Sequence, residues 1–151
     1  MKAHEIMIRD VYYVNETDTL RAVIELFIQH GISGLPIIND QKEIVAYISD
    51  GDIMRYIGRR KDIVVDSFYM VNVIQDANIP FKERLQQVLE LPVMEMAEKK
   101  VIKVDEAEPI EDAAALLGNK RIKKLPVEQD GKLIGIISRG DVIRNAFKTL
   151  L

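Results

Sequence analysis

The sequence has no cysteine and only two histidines, His4 and His30. Without cysteine there are no disulfides and no thiolate metal sites, which fits a reducing compartment. No H-E-x-x-H, P-loop or G-x-G-x-x-G pattern is present, so the usual metal, phosphate-loop and dinucleotide signatures are missing. No run approaches the ~20 apolar residues of a membrane-spanning helix. The first ten residues, with Glu5, Arg9 and Asp10, lack the apolar stretch of a signal peptide. A basic excess is missing too: the formal net charge is −3, whereas a nucleic-acid surface needs a concentrated basic face. The densest basic run, Arg59 to Lys61, is followed by Asp62 and reads as a solvated helix end. The expectation is a soluble, cytoplasmic, non-enzymatic protein with no metal, no membrane insertion and no nucleic-acid partner.

What the sequence does contain is a duplication. Ile32 to Pro36 and Ile48 to Arg55, reading I-S-G-L-P and I-S-D-G-D-I-M-R, return as I-K-K-L-P at Ile122 to Pro126 and I-S-R-G-D-V-I-R at Ile137 to Arg144. Val14, Glu16, Leu26, Ile32, Leu35, Pro36 and Asp40 match Val104, Glu106, Leu116, Ile122, Leu125, Pro126 and Asp130 at one constant offset. The offset then drops by one, so that Ser49, Gly51, Asp52 and Arg55 fall on Ser138, Gly140, Asp141 and Arg144. The gap lies in a polar turn, where a change of length is absorbed most readily. A repeat of about 50 to 60 residues is marginal alone. The two halves are therefore expected to share one core.

Each repeat reads strand, helix, strand, strand, helix. Val11 to Val14 is a short β-prone run, and Thr17 to Thr19 offers an N-cap for a helix carrying Leu20, Val23, Ile24 and Phe27 on one face, stopped by Gly31. In the second copy Pro109 opens a helix with Ile110, Ala113, Ala114 and Leu117. Leu35 to Ile38 and Ile44 to Ile48, like Leu125 to Val127 and Leu133 to Ile137, form hairpin-like pairs around polar turns. A last helix starts after Ser49 and after Ser138. This gives repeats at 1–58 and 93–151, joined by a connector at 59–92 with no counterpart. Within the connector, Phe68 to Ile74 is a candidate strand, and Phe81, Leu85, Val88 and Leu89 form an amphipathic stripe before Pro92.

The repeated S-x-x-D has a plain structural meaning. The serine oxygen caps the backbone and the carboxylate reaches back to it, forming a capping box. The same helix start presents N–H groups and positive potential suited to phosphate, and a carboxylate there can accept hydrogen bonds from two ribose hydroxyls. His30, near a helix end, is explained by a favourable dipole contact. Asp105, Glu106 and Glu108 read as a solvated face.

The order L-P-[IV], polar turn, apolar strand, S-x-G-D and apolar helix, found twice, resembles the cystathionine β-synthase (CBS) domain, and the tandem is similar to a CBS pair, or Bateman module. The resemblance implies an α/β (α+β) fold of two β-α-β-β-α repeats packed pseudo-symmetrically sheet to sheet. It also implies a regulatory sensor of adenosine-containing ligands (AMP, ADP, ATP or S-adenosylmethionine), with no cofactor beyond that ligand, a homodimeric assembly and an effector protein that the sequence does not identify. Carried onto this sequence, the composite clefts would be of two kinds. In one, Ser49 and Asp52 face Val101, Ile102, Lys123 and Lys124, with Tyr47 flanking the base. In the other, Ser138, Arg139 and Asp141 face Met7, Asp10, Tyr12, Ile32, Ser33 and Gly34.

The clefts are expected to differ. Asp50 would repel phosphate if it pointed inward, whereas Arg139 can meet phosphate bidentately. Gly135 leaves space where the first repeat has Ala46. The Asp141 cleft is therefore the one expected to fill first. The alternative is an interaction scaffold with vestigial clefts that dimerises through Met54, Ile57, Ile143 and Phe147.

Overall fold

A left-handed Gly31 (φ 63°) ends the helix that Thr19 begins, and this local signal sets the frame of the first repeat. The computed structural model describes residues 1–58, 79–119 and 121–151. Its elements are α1 (Ala3–Ile6), β1 (Val14–Asn15), α2 (Leu20–His30), β2 (Gly34–Ile38), β3 (Ile44–Ser49), α3 (Asp50–Ile57), α4 (Phe81–Glu90), a 3-10 turn (Val93–Glu95), β4 (Val104–Asp105), α5 (Ile110–Leu117), β5 (Lys124–Gln129), β6 (Lys132–Ser138) and α6 (Arg139–Phe147). The candidate strand at Phe68 to Ile74 and the basic run at Arg59 to Lys61 lie outside the described residues.

Each repeat forms a three-stranded sheet, β1-β2-β3 and β4-β5-β6, with a parallel first pair and an antiparallel second pair. The first strand is shorter than the run Val11 to Val14 suggests. Pairing begins only at Val14 opposite Ile37 and ends one residue later, leaving Tyr12 and Tyr13 exposed. The single-residue gap in the duplication falls between β2 and β3. There Asn39 Oδ1 accepts the N–H groups of Gln41 and Glu43, and Lys42 takes a positive φ of 63°. The shorter second turn places Asp130 and Gly131 at φ 51° and 80° instead. The first turn meets the start of β6: Leu133 N donates to Lys42 O at 2.9 Å.

The expectation of one shared core is corrected. Among the described residues the buried side chains form two core clusters, one around Leu20, Leu35, Ile37 and Ile48, the other around Ala113, Leu125, Val127 and Ile137. Each takes its last members from outside its own repeat: the second core from the segment that leads the first repeat, the first core from the connector helix α4 and the segment that leads the second repeat. Ala3, Ile6 and Met7 pack into the second core, while Val88 and Val93 pack into the first. Burying a side chain of this size contributes about 1.5–3 kcal/mol, so each core is incomplete without the exchange.

The exchange obeys the same pseudo-symmetry as the motifs. Ala3 N donates to Glu108 O at 2.8 Å, and Val93 N donates to Asp18 O at 2.9 Å. Ile8 and Ile136 exchange a pair of backbone hydrogen bonds, as do Glu98 and Tyr47. The amphipathic stripe of the connector is helical, but only Val88 is fully buried, and Phe81 stays half-exposed with Arg84 over its ring.

Candidate functional site

The β2–β3 register sets Gly34 opposite Ser49, so the residues before Pro36 lie beside the start of α3. Ser33 O accepts the Asp50 N–H at 2.8 Å, which fixes that approach. Together with the segment after the 3-10 turn and the start of β5, these residues line a cleft of about 650 Å³ between the repeats. That volume falls within the range typical of small-molecule sites.

From the first repeat the cleft receives Tyr47, Ser49 and Asp52, and from the second Val101, Ile102, Lys123 and Lys124. The structure thus brings together every residue assigned by sequence to the Asp52 cleft. Ser33 and Gly34 line it as well, although the sequence reading set them opposite Asp141. The pre-proline pairs of both repeats therefore line the same cleft, Gly34 opposite Ser49 and Lys124 opposite Ser138 in their own sheets. Glu98, Lys100 and Arg121 also line the cleft and were not singled out by sequence. The available signal was their closeness to Val101 and to Lys123.

Asp52 is a capping residue whose carboxylate faces a cavity. Its Oδ2 accepts Ser49 N at 3.0 Å and Ser49 Oγ at 3.2 Å, while Oδ1 pairs with the exposed Arg55 guanidinium. A carboxylate oxygen has two lone-pair sites, so Oδ1 retains capacity for a ligand hydroxyl. Tyr47 forms a wall. A Cβ added to Gly34 would lie 2.6 Å from the Tyr47 hydroxyl, so the glycine is what lets the phenol lie flat against β2. Burial, followed by the nearby Asp50 and Asp52 carboxylates, pushes the Tyr47 phenol up to about 12. It therefore stays a neutral hydrogen-bond donor through the physiological range.

The pseudo-equivalent surroundings of Asp141 differ. Its Oδ2 accepts Ser138 N at 2.8 Å and Ser138 Oγ at 2.9 Å, and Oδ1 pairs with Arg144 at 3.1 Å. The cap is the same, and the two carboxylates are similarly buried, 8% exposed at Asp141 against 13% at Asp52. Arg139, expected to meet phosphate, instead donates to three backbone carbonyls: Leu117 at 2.8 Å, Asn119 at 2.9 Å and Ile122 at 3.0 Å. Leu117 ends α5, and Asn119 and Ile122 lie in the loop between α5 and β5, so the guanidinium ties the helix end to that loop through carbonyl acceptors.

The space expected beside Gly135 is also taken. A Cβ there would fall 2.3 Å from Met7 Sδ. At the pseudo-equivalent position Ala46 replaces the glycine and Ala97 replaces the methionine, so two small side chains stand in place of one large and one absent. Asp10 is exposed, Ile32 packs on the first core, and Tyr12 stacks on His30 with ring centroids 3.9 Å apart. Arg139 and the space at Gly135, the two grounds for expecting the Asp141 cleft to fill first, are thus both engaged within the protein.

Chemically, the Asp52 cleft offers a carboxylate for a diol, a flat aromatic wall, and a basic rim. No histidine or cysteine lines it. Among the described residues no helix is long and apolar enough to cross a membrane, and no group of three or more His, Cys, Asp or Glu side chains is placed to hold a metal ion.

A family model for the CBS domain matches residues 3–59 and again residues 93–148. The chain belongs to the CBS-domain family. As a CBS pair it resembles an uncharacterised protein of Methanocaldococcus jannaschii, 34% identical over 140 residues, which covers 86% of this chain and 82% of that one. It is also 31% identical over 149 residues to the chloroplastic CBS domain-containing protein CBSX1 of Arabidopsis thaliana, spanning 92% of this chain but 60% of that protein. Among solved structures, CBSX2 in complex with AMP superposes with a TM-score of 0.73 at 25% identity, covering 99% of each chain. The CBS pair is a regulatory module in fold and family.

Proposed function

We propose that this CBS pair is a non-enzymatic sensor that binds an adenosine nucleotide (AMP, ADP or ATP) in the cleft at Asp52. The observation that carries this reading is the convergence of Asp52, Tyr47, Lys123 and Lys124, drawn from both repeats, on one cavity of about 650 Å³. The ribose hydroxyls would donate to Asp52, the base would lie against Tyr47 with Val101 and Ile102, and phosphate would meet the basic rim. The AMP complex of CBSX2 supports the ligand class. Because the cleft is shared between repeats, a bound nucleotide would tie them together, and this change in rigidity is what an effector protein would read.

A melting series with AMP, ADP, ATP and S-adenosylmethionine tests the reading. A ligand specific for the native state stabilises it by about 2.7 kcal/mol at a hundredfold excess over its Kd. A shift with S-adenosylmethionine alone would replace the nucleotide by a cationic ligand, and no shift with any of the four at millimolar concentration would overturn the reading. A second reading rests on exposed apolar side chains on α3 and α6, Met54 (61%), Ile143 (58%) and Phe147 (51%). They support homodimerisation through these helices. A dimer whose melting ignores all four ligands would favour a scaffold role.

A further inference from the structure

Asp50 is where the cleft departs most from its pseudo-equivalent, which carries Arg139. It is the first residue of α3, and its Oδ1 accepts the Gly51 N–H at 2.8 Å. The same oxygen lies 3.8 Å from Lys123 Nζ, across the cleft on the other repeat. An internal carboxylate therefore occupies the place beside the helix start that a ligand phosphate would otherwise take, and it partly neutralises the rim cation nearest to it. Five basic side chains line the cleft against three acidic ones, an excess of two positive charges. Two of the basic residues are already paired, Arg55 with Asp52 and Lys123 with Asp50. Among the described residues, Lys100, Arg121 and Lys124 have no ion-pair partner, and they face a single further carboxylate, Glu98.

A phosphate monoester carries a charge of about −1.5 to −2 at neutral pH, which this excess matches. Each further phosphate adds negative charge that the remaining cations do not offset and that Asp50 repels. We infer that Asp50 is a specificity-determining residue that makes the cleft select a nucleoside monophosphate over the corresponding triphosphate. This rests on the nucleotide reading above and adds a direction of discrimination to it. Asp50 repels in proportion to the ligand's charge, so its effect belongs in the ratio of affinities rather than in either affinity alone.

Titration calorimetry of AMP and ATP, without magnesium, against the full chain and the Asp50→Asn variant tests this. The amide oxygen of asparagine can still accept the Gly51 N–H, so the start of α3 is retained. The native chain is expected to bind AMP at least about tenfold more tightly than ATP, and Asp50→Asn to reduce that ratio by about tenfold, mainly through tighter ATP binding. An unchanged ratio in the variant, or a native chain that binds both nucleotides alike, overturns the role of Asp50 and leaves the nucleotide site standing. Failure of the native chain to bind either nucleotide overturns the site itself, and the inference with it.

Discussion

The clefts at Asp52 and Asp141 carry the same S-x-G-D motif in unlike surroundings. At Asp52 the neighbouring residues are Tyr47, Asp50 and, across the cleft, Lys123, and the carboxylate faces a cavity. At Asp141 the equivalent positions of its own repeat are Ile136 and Arg139. Arg139 is spent on three carbonyls, and Met7 covers Gly135. Duplication thus preserved the cap, a local device that any helix start needs. On the proposed reading, the same motif is a ligand contact in one half and only a helix cap in the other.

The sharpest way to break this contrast is at Met7, which is 9% exposed within the second core. Met7→Ala should destabilise the chain by about 2–4 kcal/mol, the usual result of truncating a buried methionine, while leaving the affinity of the Asp52 cleft within about threefold. Denaturant unfolding and calorimetry on one preparation read both. Loss of binding with unchanged stability would mean that Met7 contacts the ligand.

Arg139 gives the next largest effect. Arg139→Met removes hydrogen bonds from a charged donor to carbonyls at the end of α5 and in the loop that follows it, and should lower unfolding stability by about 1.5–3 kcal/mol with nucleotide affinity unchanged. A phosphate contact would produce the reverse pattern, with weaker binding and little change in Tm.

Tyr47 offers a pH test of the open cleft. Its folded pKa lies above that of the unfolded chain, so folding favours the protonated phenol. The associated stability is complete below about pH 10 and is lost as pH rises from 10 towards 12. The loss amounts to about 1–3 kcal/mol, from about 1.4 kcal/mol per pKa unit. Tyr47→Phe should abolish this alkaline decline, as measured by urea midpoints across that window. A decline of equal size in Tyr47→Phe would place its origin elsewhere.

Much of the fold is legible in the sequence because its signals are local. The offset of the repeat, the gap in one turn, Gly31 as a helix stop and Ser49 and Ser138 as caps each depend on neighbouring residues, and the structure agrees with them. The reciprocal exchange of leading segments was not legible. A four-residue α1 and a single 3-10 turn are too short to show a hydrophobic period, and their partners lie roughly a hundred residues away for Ala3 and seventy-five for Val93. The reading of Gly135 as room for a sugar failed for a related reason: the residue that fills the space, Met7, comes from the far end of the chain. Arg139 was misjudged because a long cation reaches whichever acceptors the tertiary fold presents, and here those were backbone carbonyls.

The most direct test of the account is calorimetric titration of AMP into the native chain, Asp52→Ala and Asp141→Ala, each below its Tm. Loss of a hydrogen bond to a charged group costs about 1.5–3 kcal/mol, so Asp52→Ala should weaken binding by about 10- to 150-fold. Asp141→Ala should lower stability while keeping affinity within about threefold. Undiminished binding in Asp52→Ala, or a loss confined to Asp141→Ala, would contradict the assignment of the nucleotide site to the Asp52 cleft.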